Sequence, residues 1–159
     1  MTRSGTRAAI VALAITSIAT AADARRWKPP RHPLPAEETT GVPTSIYDGD
    51  TFRFGKIPVR IWGIDAPEKD TRFGPAARAQ LVQLVADRRV TCRDTGQRNH
   101  DRIVAQCWNW RGVEIASAMV RTGWAVDWST FSRGRYQPSQ RAAQRAQAGM
   151  YRYGVQPWR

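Results

Sequence analysis

The sequence predicts an α+β domain: a small five-stranded β-barrel carrying three helices. Three observations point to it. Apolar residues alternate between Ser45 and Ile61, the spacing turns helical between Gly74 and Arg89, and β-type runs return around the two cysteines before two further helical stretches.

The elements follow in order. In "TSIYDGDTFRFGKIPVRIWGI" three short strands are separated at Asp48-Gly49 and at Gly55-Lys56, with Ile57, Val59 and Ile61 on one face. In "RFGPAARAQLVQLVADRR", Ala77, Leu81, Leu84 and Val85 share a helical face, and Pro75 suits the first helical position. "RVTCR" and "RIVAQCWNW" read as a hairpin, and setting Cys92 opposite Cys107 in it centres the turn between Asn99 and His100. "VEIASAMVRTG" then places Ile115, Ala118, Met119 and Thr122 on one helical face, closed by Gly123. A polar helix over 138–148 precedes the aromatic tail "MYRYGVQPWR". Three strands, a helix and two more strands match an OB-type barrel, an architecture that often binds nucleic acid.

Composition narrows the partners. Of 159 residues 22 are Arg and three are Lys, against 13 Asp and Glu, giving a net charge of +12. Planar, bidentate guanidiniums suit phosphate, so a polyanion is the expected partner, with a codon-driven arginine excess as the alternative. "MTRSGTR", an apolar run and Ala22-Asp23-Ala24 make residues 1–24 a signal peptide. Residues 25–41, with four of the ten prolines, form a Pro-rich basic linker, and the domain occupies 42–159. Export to the periplasm or beyond favours a Cys92–Cys107 disulfide over two buried thiols. Two cysteines without paired histidines argue against a structural zinc site, and no nucleophile-elbow string supports a serine or cysteine hydrolase.

Five of the acids, Asp48, Asp50, Asp65, Glu68 and Asp70, cluster in two groups between Val42 and Asp70. Asp50 and Asp65 fall at neighbouring strand ends and are expected to converge, offering hard oxygens to a divalent cation. Asp48-Gly49 is a turn signal in its own right. Arg60 and Arg102 stand where guanidiniums would grip a phosphate, or serve as salt-bridge partners. In "DWSTFSRGRY", Arg133, Arg135 and Tyr136 are candidate contacts to a single strand, and Trp128 and Phe131 either stack bases there or, the favoured reading, cover the barrel's flank. Trp108, Trp110, Trp124 and Trp158 read as packing.

The strings "YDGDT", "VRIWGIDAPE", "GPAA", "VRTGWA" and "PWR" resemble those of the staphylococcal nuclease, or thermonuclease, family from about Ser45 to the C-terminus. The resemblance implies that Asp50, Asp65 and the Ala66 backbone carbonyl ligate Ca2+. It implies that Glu68 acts on the attacking water and that Arg60 and Arg102 bind the scissile phosphate. It further implies a monomeric nuclease cleaving DNA and RNA, unpaired regions especially, with little sequence preference and leaving 3′-phosphates. No stable membrane association is expected once the signal is removed. The chain departs from the family in carrying His100-Asp101 where a Tyr-Gly pair is usual. Asp101 there would either pair with Arg102 or tether it, and His100 would either replace an aromatic contact or simply be solvated. A rival reading keeps the scaffold as a non-catalytic, polyanion-binding module. A further one places the activity in the Pro-rich arm.

Overall fold

The computed structural model describes residues 38–85 and 87–158, so the signal segment and most of the Pro-rich stretch lie outside the described residues. The elements are β1 (Glu38–Gly41), β2 (Ser45–Ile46), β3 (Thr51–Phe54), β4 (Ile57–Ile61), β5 (Ile64–Asp65), α1 (Gly74–Val85), β6 (Val90–Asn99) and β7 (Arg102–Asn109). They continue as α2 (Ile115–Arg121), β8 (Val126–Asp127), α3 (Ser129–Ser132), α4 (Gln137–Arg145) and a 3-10 helix, Gly149–Tyr153. No described helix is long and apolar enough to cross a membrane.

The α+β class holds, but its β part is a six-stranded sheet in the order β1-β6-β7-β4-β3-β2, with β5 and β8 paired separately. A closed ring of five hydrogen-bonded strands is not formed among the described residues. β1 and β2 are consecutive in the chain, only Val42, Pro43 and Thr44 apart, yet they form opposite edges of the sheet. The sheet must therefore curl to bring both edges to one segment. Gly41 marks the approach, since a Cβ there would lie 3.2 Å from the Phe54 ring on β3. The expected linker boundary at 41 also moves, because Glu38–Gly41 pair with Val90–Arg93 of β6.

The β3–β4 hairpin turns at Gly55-Lys56, where Gly55 adopts a positive φ of 58°. β4 is central, antiparallel to β3 and parallel to β7, and Val59, Arg60 and Ile61 are all buried. α1 packs Ala77, Leu81 and Val85 inward, as their spacing predicts. On α2 the inward face is Ile115, Ala116, Met119 and Val120, rotated from the expected one, so that Ala118 and Thr122 are only partly covered. Gly123, with φ of 73°, ends that helix as expected. Two pieces of helix were not legible, α3 and the 3-10 helix. Gly123 and Gly149 meet backbone to backbone, where the Gly123 carbonyl accepts the Met150 N–H at 3.0 Å. A Cβ on Gly149 would fall 2.4 Å from that carbonyl oxygen.

β6 and β7 set Cys92 opposite Cys107, and the two form a disulfide. Farther along, Asn99 faces Arg102, because an irregularity between Asp94 and Arg98 places extra residues on β6. The turn therefore falls on His100-Asp101, one position beyond the expected centre.

Candidate active site

The β2–β3 bend, the β4–β5 corner and the tip of the β6–β7 hairpin meet at one end of the sheet. In the bend, Asp48 Oδ1 accepts the Asp50 N–H at 3.0 Å, a local side-chain turn that leaves Asp48 buried. Gly49 is needed for proximity: a Cβ there would sit 2.7 Å from the Ala66 Cβ and 2.8 Å from the Ala77 Cβ. The bend thus rests directly on the loop after β5 and on α1.

That contact brings Asp50 and Asp65 together, as their positions at neighbouring strand ends predict. Both converge on the Arg60 guanidinium. Arg60 Nη1 donates to Asp50 Oδ1 at 2.5 Å and Nη2 donates to Asp65 Oδ1 at 3.0 Å. All three are buried. Asp50 also accepts the Thr51 hydroxyl at 3.0 Å and the Ala66 N–H at 2.9 Å. Burial nevertheless dominates its titration: desolvation, with Asp48 adding to it, outweighs Arg60 and these hydrogen bonds and pushes the Asp50 carboxyl up to about 7.

Glu68 follows on the same loop with its side chain exposed. Its carbonyl accepts the Thr71 N–H at 2.9 Å and the Thr71 hydroxyl at 2.7 Å, which folds the segment after Pro67. Gly74 packs so tightly there that a Cβ would fall 2.0 Å from the Glu68 carbonyl oxygen. An open pocket is lined by Asp65, Ala66, Glu68 and Trp158. Trp158 was expected to be tail packing. It instead donates its indole N–H to Asp65 Oδ2 at 2.7 Å, across 93 positions of sequence.

Arg102 does not pair with Asp101. Its Nη2 donates to Asn99 Oδ1 at 2.5 Å, and its Nη1 reaches the Thr51 hydroxyl oxygen at 3.3 Å. Thr51 donates in turn to Asp50, so a chain of hydrogen bonds joins Arg102 to the buried carboxylate. His100 occupies the turn with φ of 57° and is exposed, a conformation that histidine tolerates better than most residues.

Beside Arg60 lies a second cleft with an aromatic wall. Trp128 stands edge-on to Phe131 at 4.6 Å and carries the Arg60 guanidinium 5.6 Å from its ring centre. Gln97 and Asn99 border the same cleft. Trp128 and Phe131 thus wall an opening rather than merely cover a flank. Tyr136, a candidate strand contact, is fully buried, with its hydroxyl donating to Glu114 Oε1 at 2.8 Å. Burial first, and Glu114 second, push that hydroxyl well above its usual value. Arg135 pairs with the same Glu114 at 3.4 Å, whereas Arg133 is exposed at the left-handed end of α3. The motif strings already contained Thr51 and Trp158, and "DWSTFSRGRY" contained Trp128; nothing local in the sequence distinguished Asn99 as a partner of Arg102.

Asp50 and Asp65 supply only oxygen donors, as a hard cation requires. No group of three or more His, Cys, Asp or Glu side chains gathers around one point among the described residues. Ala66 turns its N–H, rather than its carbonyl, to Asp50.

A curled sheet thus gathers paired acids, two arginines and an aromatic cleft at one end. Comparison with known proteins assigns the family. The family model "Staphylococcal nuclease homologue" matches residues 58–153, and the chain belongs to that family. It is 29% identical over 132 residues to "Succinoglycan biosynthesis protein ExoI" of Rhizobium meliloti (strain 1021), covering 76% of this chain and 69% of that protein. It is 29% identical over 124 residues to "Probable staphylococcal-like nuclease CAN4" of Oryza sativa subsp. japonica, where 76% of this chain spans 25% of the relative. An "Uncharacterized endonuclease" of Escherichia coli is 26% identical over 133 residues, with coverages of 79% and 87%.

Proposed function

We propose that the protein is an exported, Ca2+-dependent nuclease that hydrolyses phosphodiester bonds of DNA and RNA with little sequence preference. The observation that carries this reading is the convergence of Asp50, Asp65 and Arg60 within hydrogen-bonding distance, with Arg102 linked to them through Thr51. Asp50 and Asp65 would hold the cation, which when bound offsets negative charge growing on the phosphate. The Ala66 carbonyl stays a candidate ligand, since only its N–H has a described role.

The side chains have distinct tasks. Arg60 and Arg102 bind non-bridging oxygens of the scissile phosphate, using N–H groups beyond those already engaged. Glu68, on the exposed side of the loop, accepts a proton from water as the water oxygen bonds to phosphorus and the bond to the 5′-oxygen breaks. The 5′-oxygen leaves and takes up a proton, and the other product ends in a 3′-phosphate. Trp128 and Phe131 offer an aromatic seat for an adjacent base, a contact open to unpaired strands and indifferent to sequence.

Cleavage of single-stranded DNA and RNA by the mature chain, with Ca2+ and with chelator, tests the proposal. Ca2+-dependent products with 3′-phosphate ends are expected, and Glu68→Gln should lose them while keeping substrate affinity. Salt-sensitive binding without cleavage under any metal condition would overturn the catalytic reading and leave a binding module.

A further inference from the structure

We propose a second nucleic-acid contact at the far end of β7, centred on Trp110, that holds the substrate strand away from the cutting site. This rests on the nuclease reading and names where the same polymer is gripped again. Trp110 was expected to pack inside, but the residue is 52% exposed. The guanidinium carbons of Arg88 and Arg111 lie 5.4 and 4.5 Å from its ring centre. Neither arginine forms an ion pair among the described residues, so their donors face solvent. Glu114, the acid closest in sequence to Arg111, is engaged by Tyr136 and Arg135.

The platform is built. Asn109 Oδ1 accepts the N–H groups of Arg111 and Val113 at 3.0 Å each, and its amide nitrogen donates to the Leu84 carbonyl at 3.3 Å. The loop that carries Trp110 is thereby tied to the end of α1. Exposed indole faces accept stacked bases, and guanidiniums beside them follow the phosphate backbone. A net charge of +12 supplies the long-range attraction.

The position suits one continuous strand. β7 runs from Arg102 to Asn109, so the patch around Trp110 lies roughly 25 Å from the site at about 3.3 Å per residue. That separation falls within the tract of about 4–16 nucleotides that OB-type surfaces engage. Between the two ends, Arg93 faces Gln106 across the ladder with its guanidinium 5.8 Å from the Trp108 ring centre, which continues the aromatic character along the sheet, although Glu38 pairs with this arginine at 3.6 Å.

The test compares the wild-type chain with a triple variant, Arg88→Ala, Trp110→Ala, Arg111→Ala. Substrates are a single strand of about 20 nucleotides, longer than the expected tract, and a dinucleotide too short to reach the patch. The expected result is KM for the long strand raised about tenfold, with kcat and dinucleotide cleavage unchanged, and a shallower salt dependence. Equal KM values for the long strand would overturn the proposal, as would an equal loss on both substrates. Fluorescence anisotropy of the labelled long strand separates this failure from failure of the nuclease reading. Weaker binding by the variant supports the patch even if neither protein cleaves. Unchanged nucleic-acid binding alongside lost affinity for an anionic polysaccharide would reassign the surface and overturn it.

Discussion

The corner made by β3, β4 and β5 and the tip of the β6–β7 hairpin each bring one arginine to the same end of the sheet, in opposite electrostatic settings. Arg60 is 7% exposed and lies between two carboxylates, so its charge is balanced locally. Arg102 is partly exposed and held by neutral groups, an amide and a hydroxyl, so its charge stays uncompensated. The buried arginine is part of the fold as well as of the site, because removing it strands two acids away from water. Under the proposed function, the hairpin arginine is the one whose full charge an approaching phosphate would meet first. One fold thus supplies a fixed guanidinium and an available one.

Substitutions at these two places separate the two kinds of arginine. Arg60→Ala should have the largest effect, lowering cleavage about 10³-fold and destabilising the chain by about 3–5 kcal/mol, read by a cleavage assay and urea unfolding. Unchanged stability would show that the corner tolerates its acids unpaired. Glu68→Gln should lower kcat at least about 10²-fold, yet leave the urea midpoint within about 0.5 kcal/mol of wild type, because the side chain is exposed. Arg102→Ala should reduce kcat/KM about 10²-fold with little change in stability, which is the contrast with Arg60 that the comparison demands. Replacing both Cys92 and Cys107 by Ser should cost about 3 kcal/mol, since the bond closes a loop of separation 15. That change should raise KM through the loosened hairpin while sparing the Arg60 corner. Trp158→Phe removes one hydrogen bond to Asp65 and should cost about 1 kcal/mol, seen as a several-fold fall in activity with the tail still packed.

The sequence revealed what local pattern determines. Alternation located β3 and β4, the spacing of Ala77, Leu81 and Val85 gave the inward face of α1, and the presence of just two cysteines pointed to the Cys92–Cys107 pair. Asp50, Arg60 and Asp65 were recognisable because they sit at strand ends that a meander brings together. Features set by distant partners were hidden. Tyr136 lies in a Gly-flanked, polar stretch that reads as exposed, but Glu114, 22 residues earlier, takes its hydroxyl into the interior. Trp110 follows an apolar strand and reads as core, whereas the turn around Asn109 swings it to the surface. The His100-Asp101 departure, which raised the question of a spoiled arginine, marks the turn itself, and Arg102 takes Asn99 as its partner.

The meeting of Gly123 and Gly149 carries a remote consequence for chemistry. It seats the 3-10 helix that launches the tail, and the tail delivers Trp158 to Asp65. The placement of an indole on a carboxylate is therefore set by two residues that touch neither group. A methyl group added at either glycine would pry the backbones apart and loosen, from a distance, the hold of the indole on Asp65.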